Sequence, residues 1–215
     1  MKLISKVSAF LMLPLALSLV NSKNRVAKLV SIVKPFTVEN IPGSLPPFGL
    51  FDPANLGGKA DTNTLKRYRE AELVHGRVAM LAAVGFLVGE AVEGSSFLFD
   101  ASVTGPAITH LTQVPAPFWT ALGLLILYFE IDRAKYSFVE PEDVPLGQPG
   151  LMRAECIPGD IGFDPLKIKP KNPLEYELMQ AKELQNGRLA MIAAAGFMAQ
   201  ELVDGKGIVE HLTKS

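Results

Sequence analysis

The chain has 215 residues, 48% of them hydrophobic and 20% charged, with a mean hydropathy of +0.24. That composition excludes a disordered chain and is apolar for a soluble globule. A single cysteine, Cys156, excludes an internal disulfide framework and a cysteine-ligated zinc site, and a net charge of −1 gives no basis for nucleic-acid binding.

The charge is unevenly placed. Residues 1–38 hold six of the 21 Lys/Arg residues and none of the 22 acids, which leaves the remainder at −7. Lys2 and Lys6 precede an apolar run from Val7 to Val20, followed by Asn21 and Ser22. A basic start, an apolar stretch and a polar exit predict a secretory signal peptide over 1–22. The alternative is a membrane anchor, but the run is shorter than the roughly 20 residues that span a bilayer. Residues 23–38 are basic and acid-free, as a plastid transit segment is. The order predicts a plastid reached through the secretory route, with the functional body in 39–215.

That body contains a repeat. Glu72 to Gly94 (ELVHGRVAMLAAVGFLVGEAVEG) and Glu183 to Gly205 (ELQNGRLAMIAAAGFMAQELVDG) are identical at 13 of 23 positions without a gap, at an offset of 111. Phe51-Asp52-Pro53 and Phe163-Asp164-Pro165 echo each other upstream at an offset of 112. The repeated unit is a loop, a Phe-Asp-Pro turn and a helix. Proline-free runs of helix formers ending near glycine predict helices over about 65–94 and 174–205. A third apolar stretch, Phe118 to Phe129, opened by Pro115 and Pro117, predicts an unrepeated helix over about 115–133. The proline-, glycine- and charge-rich segment 131–173 reads as a long loop.

Each repeated helix has an uncharged core of only 12 residues, Val78–Gly89 and Leu189–Gln200. Extending either to membrane length brings in a glutamate and an arginine, which survive at that depth only by pairing. A pseudo-twofold arrangement supplies partners, setting Glu72 against Arg188 and Glu183 against Arg77. Gly76, Ala79 and Ala83, matched by Gly187, Ala190 and Ala194, give each helix a small face for close approach. The expected fold is an all-α membrane protein with three transmembrane helices, the first and third crossed. The alternative is a soluble helical bundle with surface Glu–Arg pairs. Residues 94–117 carry no Lys or Arg and 133–182 carry seven, which places the second loop and the N-terminus on the stromal side and the C-terminus opposite.

No nucleophile–base pair, metalloprotease motif or phosphate loop stands out, so an enzyme is not expected. The helices instead present single ligands suited to a magnesium ion already held in a macrocycle, as in chlorophyll. His75 offers an imidazole, Asn186 and Gln200 offer amide oxygens, and Glu72 and Glu183 offer carboxylates neutralised by their arginines. Asn186 and Gln200 lie 14 residues apart, nearly four turns and ~21 Å along one face. Each has a second reading, His75 as an interfacial polar residue and the amides as helix–helix contacts.

The doubled Glu-x-x-His/Asn-Gly-Arg-x-Ala-Met, preceded each time by Phe-Asp-Pro, resembles the light-harvesting chlorophyll-binding protein family over about 45–212. PGDIGFDPL and the ending QELVDGKGIVEHL resemble its chlorophyll a/c branch in algae with red-lineage plastids. The resemblance implies a three-helix thylakoid protein with a short C-terminal amphipathic helix. It also implies chlorophyll a, chlorophyll c and xanthophylls such as fucoxanthin or peridinin as cofactors. Glu72, His75, Glu183, Asn186 and Gln200 then match chlorophyll ligands, His211 matches a C-terminal ligand, and Glu130 is a ligand by position. Carotenoid ends would lie near the loops held by Asp52 and Asp164, whose side chains suit backbone hydrogen bonding.

The expected function is an antenna that passes excitation to a photosystem core, with neighbouring antenna proteins and thylakoid lipid as partners and no nucleic acid. The rival within the family is dissipation of excitation as heat. The rival outside it is a repeat-built transporter, which would want a broken helix at the midplane; neither repeated helix has a sequence break.

Overall fold

The structure is a computed structural model and describes residues 36–37, 43–44, 49–93, 103–147 and 150–214. The chain divides into a unit over 1–40 and a unit over 41–215. The signal peptide and transit segment expected over 1–38 fall outside the described residues, save 36 and 37.

The second unit is helical, with no named strand among the described residues. A four-residue turn of helix, α1 (Leu56–Lys59), leads into α2 (Thr62–Ala91). Asp61 caps α2 by accepting from the Thr64 N–H, and the helix ends three residues before Gly94 because Val92 leaves helical geometry. Next come α3 (Ala107–Gln113) and α4 (Ala116–Ser137), with Pro117 in the first turn of α4. The sequence stops α4 near residue 133, where apolarity ends. It continues to Ser137 because Arg133, Ala134 and Lys135 are good helix formers whatever their polarity.

The expected long loop over 131–173 therefore begins only at Phe138, and it is not featureless. It holds a 3₁₀ turn at Pro141–Asp143 and an antiparallel bridge between Phe138 and Met152. Helix α5 (Pro173–Asp204) starts on the Asn172 cap with Pro173 in its first turn and ends at Gly205, a left-handed residue at φ 64°. Helix α6 (Ile208–Lys214) is the expected short C-terminal helix.

The contact between α2 and α5 is the most extensive in the fold. Its closest point is backbone against backbone: a Cβ added to Gly76 would lie 3.0 Å from the Gly187 Cα, and one added to Gly187 would lie 3.0 Å from the Gly76 Cα. Leu73, Ala79, Leu184, Ala190 and Ala194 are buried around it, and Phe86 meets Phe197 edge to face at 6.0 Å. Gly76 with Gly187, and Phe86 with Phe197, are repeat equivalents. Two equivalent pairs that meet ten residues apart along each helix place a local twofold axis between the helices and require that both run in the same sense.

The outward faces are apolar. Leu81 and Ile192 are 76% and 73% exposed, and α4 exposes Leu124, Leu125, Ile126, Leu127 and Phe129. Among the described residues, α2 is the one helix that by itself is long and apolar enough to cross a membrane. Helices α3 and α4 together also are, with a 103° bend between them. Length and apolarity therefore do not establish the three spans expected from the sequence.

Candidate functional site

Both predicted ion pairs form where the two long helices meet. Arg188 Nε donates to Glu72 Oε1 at 2.8 Å, and Arg77 Nε donates to Glu183 Oε1 at 2.7 Å. Each arginine also donates to a glycine carbonyl in the loop preceding the other repeat copy's helix. Arg188 Nη1 reaches Gly43 O at 3.0 Å, and Arg77 Nη2 reaches Gly159 O at 2.7 Å. Gly43 (φ 99°) and Gly159 (φ 84°) sit in left-handed backbone, and a Cβ on them would strike Leu184 and Leu73, again repeat equivalents. The signal was in the sequence, since Ile-Pro-Gly occurs at 41–43 and again at 157–159. Its offset of 116 hides it from a search at 111.

The two pairs are not identical. Arg69 Nη1 lies 2.9 Å from Glu72 Oε2, so both oxygens of Glu72 face a guanidinium. The position equivalent to Arg69 is Gln180, which carries no charge, and Glu183 pairs with Arg77.

One turn away, His75 and Asn186 are exposed and oriented alike. His75 Nδ1 lies 2.7 Å from Ala71 O, and Asn186 Nδ2 lies 2.9 Å from Lys182 O, in each case the carbonyl four residues back. A carbonyl only accepts, so His75 carries its proton on Nδ1 and keeps the Nε2 lone pair. Asn186 by the same logic keeps Oδ1 unspent. At the far end of α5, Gln200 Nε2 donates to Asp204 Oδ2, and His211 Nδ1 lies 3.2 Å from the same oxygen. His75, Asn186 and Gln200 thus pin an N–H to the protein and leave the opposite atom of the side chain as an acceptor, while His211 places Nδ1 beside the same Asp204 oxygen.

Glu130 is tied to Arg133, whose Nε and Nη2 lie 3.1 and 2.6 Å from its Oε2. Arg133 Nη1 reaches Glu70 Oε1 at 3.1 Å, and buried Glu70 takes the Gly159 N–H on Oε2 at 2.6 Å. That joins α4 to α2 through a carboxylate–guanidinium–carboxylate run, which sequence reading missed because Glu70 and Arg133 are 63 residues apart.

The Phe-Asp-Pro loops match in detail. Asp52 accepts from the N–H groups of Leu56 and Gly57 at 2.9 and 2.7 Å, and Asp164 from those of Ile168 and Lys169 at 3.0 and 2.9 Å. Asn55 and Lys167, the non-glycine residues with positive φ among the described residues, are equivalents at the same offset of 112. The N–H groups of Leu56 and Gly57 hold the Asp52 carboxyl below its ordinary value.

The lower ends of α2 and α5 carry a reciprocal device that sequence reading also missed. Glu90 accepts from the Ile208 and Val209 N–H groups at 2.8 and 2.7 Å, capping α6, while Glu201 accepts from Ile108 N–H at 2.7 Å in α3. Glu90 and Glu201 are identical in the aligned copies, which was the available signal. Helix α3 itself was not foreseen, because the group that caps it lies 93 residues away.

Among the described residues no group of three or more His, Cys, Asp or Glu forms a cage for a bare metal ion. Single lone pairs on exposed or half-buried helix faces, beside carboxylates already neutralised by arginine, fit a different ligand. They would suit a metal already held within a macrocycle, to which each could supply a single donor. A sequence profile described as "Chlorophyll A-B binding protein" matches residues 37–202.

The chain belongs to the chlorophyll a-b binding protein family.

Similarity to individual members extends across green and red-lineage plastids. The chain is 46% identical over 177 residues to light-harvesting complex stress-related protein 3.2, chloroplastic, of Chlamydomonas reinhardtii, covering 81% of this chain and 67% of that protein. It is 43% identical over 165 residues to the chloroplastic fucoxanthin-chlorophyll a-c binding protein of Isochrysis galbana, covering 77% of each. It is 36% identical over 174 residues to chlorophyll a-b binding protein 6, chloroplastic, of Arabidopsis thaliana, covering 79% and 67%. In this chlorophyll a-b binding protein, the profile takes in both repeat copies as far as Leu202. Asp204 and His211 lie beyond it.

Proposed function

We propose that this protein is a plastid thylakoid antenna that binds chlorophyll a, chlorophyll c and xanthophylls of the fucoxanthin or peridinin kind and delivers excitation to a photosystem. The observation that carries the reading is the shared orientation of His75 and Asn186 at equivalent positions, one turn from ion-paired Glu72 and Glu183. Chlorophyll, when bound, supplies light absorption and the singlet excited state; the chain supplies distance, orientation and local polarity.

In this reading Glu72, His75, Glu183, Asn186, Gln200 and His211 would each supply one donor to a chlorophyll magnesium, and Glu130 a further one on α4. Arg188, Arg77 and Arg133 cancel the charge of the carboxylates they hold, so that each offers an oxygen to an uncharged macrocycle without leaving an unpaired anion in lipid. The loops fixed by Asp52 and Asp164 receive the polar ends of carotenoids lying against α2 and α5.

Helices α2, α4 and α5 are the three spans. The charges near the N-terminal ends of α2 and α5 are matched across their contact, and the apolar faces they turn outward meet lipid and pigment. The basic loop between α4 and α5 faces the stroma with the N-terminus, and α6 lies on the lumenal side. Photosystem core, neighbouring antennae and thylakoid lipid are the partners.

The test is refolding of the full chain with chlorophyll a, chlorophyll c and fucoxanthin, followed by pigment counting. The wild-type chain takes up several chlorophylls, and Glu183→Leu loses one together with thermal stability. A wild-type chain that takes up none would falsify the antenna reading. The identity to a relative named as stress-related favours a second reading, in which the pigmented protein dissipates excitation as heat. Fluorescence lifetime separates the two: a long lifetime in isolated protein marks harvesting, a short one dissipation.

A further inference from the structure

The repeat accounts for the ligand orientation at His75 and Asn186, where a backbone carbonyl four residues back takes the side-chain N–H. It does not account for Gln200 and His211. Gln200 has Gly89 as its equivalent, and His211 lies beyond the repeat. Gln200 instead directs its N–H to a side-chain atom, Asp204 Oδ2, and His211 Nδ1 sits 3.2 Å from the same oxygen.

We propose that Asp204 is a positioning residue that presents two pigment ligands at once, Gln200 through Oε1 and His211 through Nε2. This rests on the antenna reading above. The geometry is set by three features. Gln200 and Asp204 are four apart on α5, so their side chains lie on one face. Gly205, left-handed at φ 64°, ends α5 there and turns the chain into α6. Glu90 then holds the first N–H groups of α6 at 2.8 and 2.7 Å, which fixes the helix that carries His211. A carboxylate oxygen has lone pairs for two donors and no proton to give. It therefore forces Gln200 to donate through Nε2 and His211 through Nδ1, leaving the opposite atom of each side chain as the acceptor. A residue without an acceptor at 204 would let the amide flip and the imidazole change tautomer.

The test compares Asp204→Asn with Asp204→Ala in the full chain refolded with chlorophyll a, chlorophyll c and fucoxanthin. The asparagine oxygen still accepts, so Asp204→Asn keeps the wild-type chlorophyll number. Asp204→Ala loses the chlorophylls at both Gln200 and His211, and its absorption difference from wild type equals the summed differences of Gln200→Leu and His211→Leu. Retention of every chlorophyll by Asp204→Ala, or equal losses in the two Asp204 variants, overturns the proposal. A measurement on the wild-type chain covers the case in which Asp204→Ala does not refold. Histidine labelled with ¹⁵N reads the His211 ring, where a proton on Nδ1 is expected and a proton on Nε2 overturns the assignment. A wild-type chain that binds no chlorophyll defeats the antenna reading itself, whereas one that binds normally with Asp204→Ala unaffected defeats this proposal alone.

Discussion

Asp52 shows how a single carboxylate organises a loop. Its two oxygens take the N–H groups of Leu56 and Gly57, and those bonds favour the ionised form over the acid. Asp160 acts likewise in the second loop. Burial pushes its carboxyl up, but Lys169, the Gly162 N–H and the Tyr176 hydroxyl together bring it below its ordinary value, and Lys169 is raised in return. A carboxyl lowered in the folded state adds stability that is complete above the unfolded value of 3.8 and disappears as pH falls through the folded value. Acidification below pH 3.8 should therefore loosen both loops, read as faster amide hydrogen exchange at Leu56 and Gly57. Asp52→Ala should reproduce that loosening in the first loop at neutral pH, and exchange rates unchanged in that variant would count against the loop mechanism.

At the scale of elements, the fold depends on how closely α2 and α5 approach. Gly76 and Gly187 meet backbone to backbone, so neither neighbour can move aside the way a flexible side chain would. Gly76→Ala should separate the helices and cost about 1–3 kcal/mol, the usual range for overpacking, measured by thermal unfolding in detergent. Gly85→Ala, on the same helix with open space around its Cβ position, is the control and should leave stability near wild type. The ion pairs flank that contact and bring in the loops as well, since Arg77 and Arg188 each hold a glycine carbonyl besides a glutamate. Arg77→Leu leaves Glu183 without its paired cation and should cost on the order of 1–3 kcal/mol. That is below the range for a fully buried pair, because both side chains are about a third exposed. Removing both charges in Arg77→Leu/Glu183→Leu should recover much of the stability but not the chlorophyll assigned to Glu183. That outcome separates the pair's part in the fold from its part in binding.

Across the whole molecule the organising rule is reciprocity. The loop before each repeated helix packs on the arginine of the other copy, and the glutamate ending each long helix caps the short helix that follows the other. Neither copy is complete alone. Helix α4 stands outside this symmetry, joined to α2 through Arg133 and Glu70, with its apolar side chains outward. An arrangement with charges matched inside and apolar groups outside is the inverse of a water-soluble surface, and it fits a helix bundle whose remaining neighbours are lipid and pigment.

The sequence by itself determined whatever duplication writes twice. The two long helices, the Glu–Arg exchange, the paired Phe-Asp-Pro loops and the small faces at Gly76 and Gly187 could all be read, because an interaction across a twofold axis appears as the same residues at one offset. The tertiary structure decided what is not duplicated or not in register. Helix α3 depends on a cap from Glu201, and Glu70 meets Arg133 across 63 residues. Gly43 and Gly159 share an offset different from that of the helices, and Asp204 gathers Gln200 and His211 only because the chain turns at Gly205. Local pattern carries no record of such meetings, since each partner looks ordinary until the chain brings the other beside it.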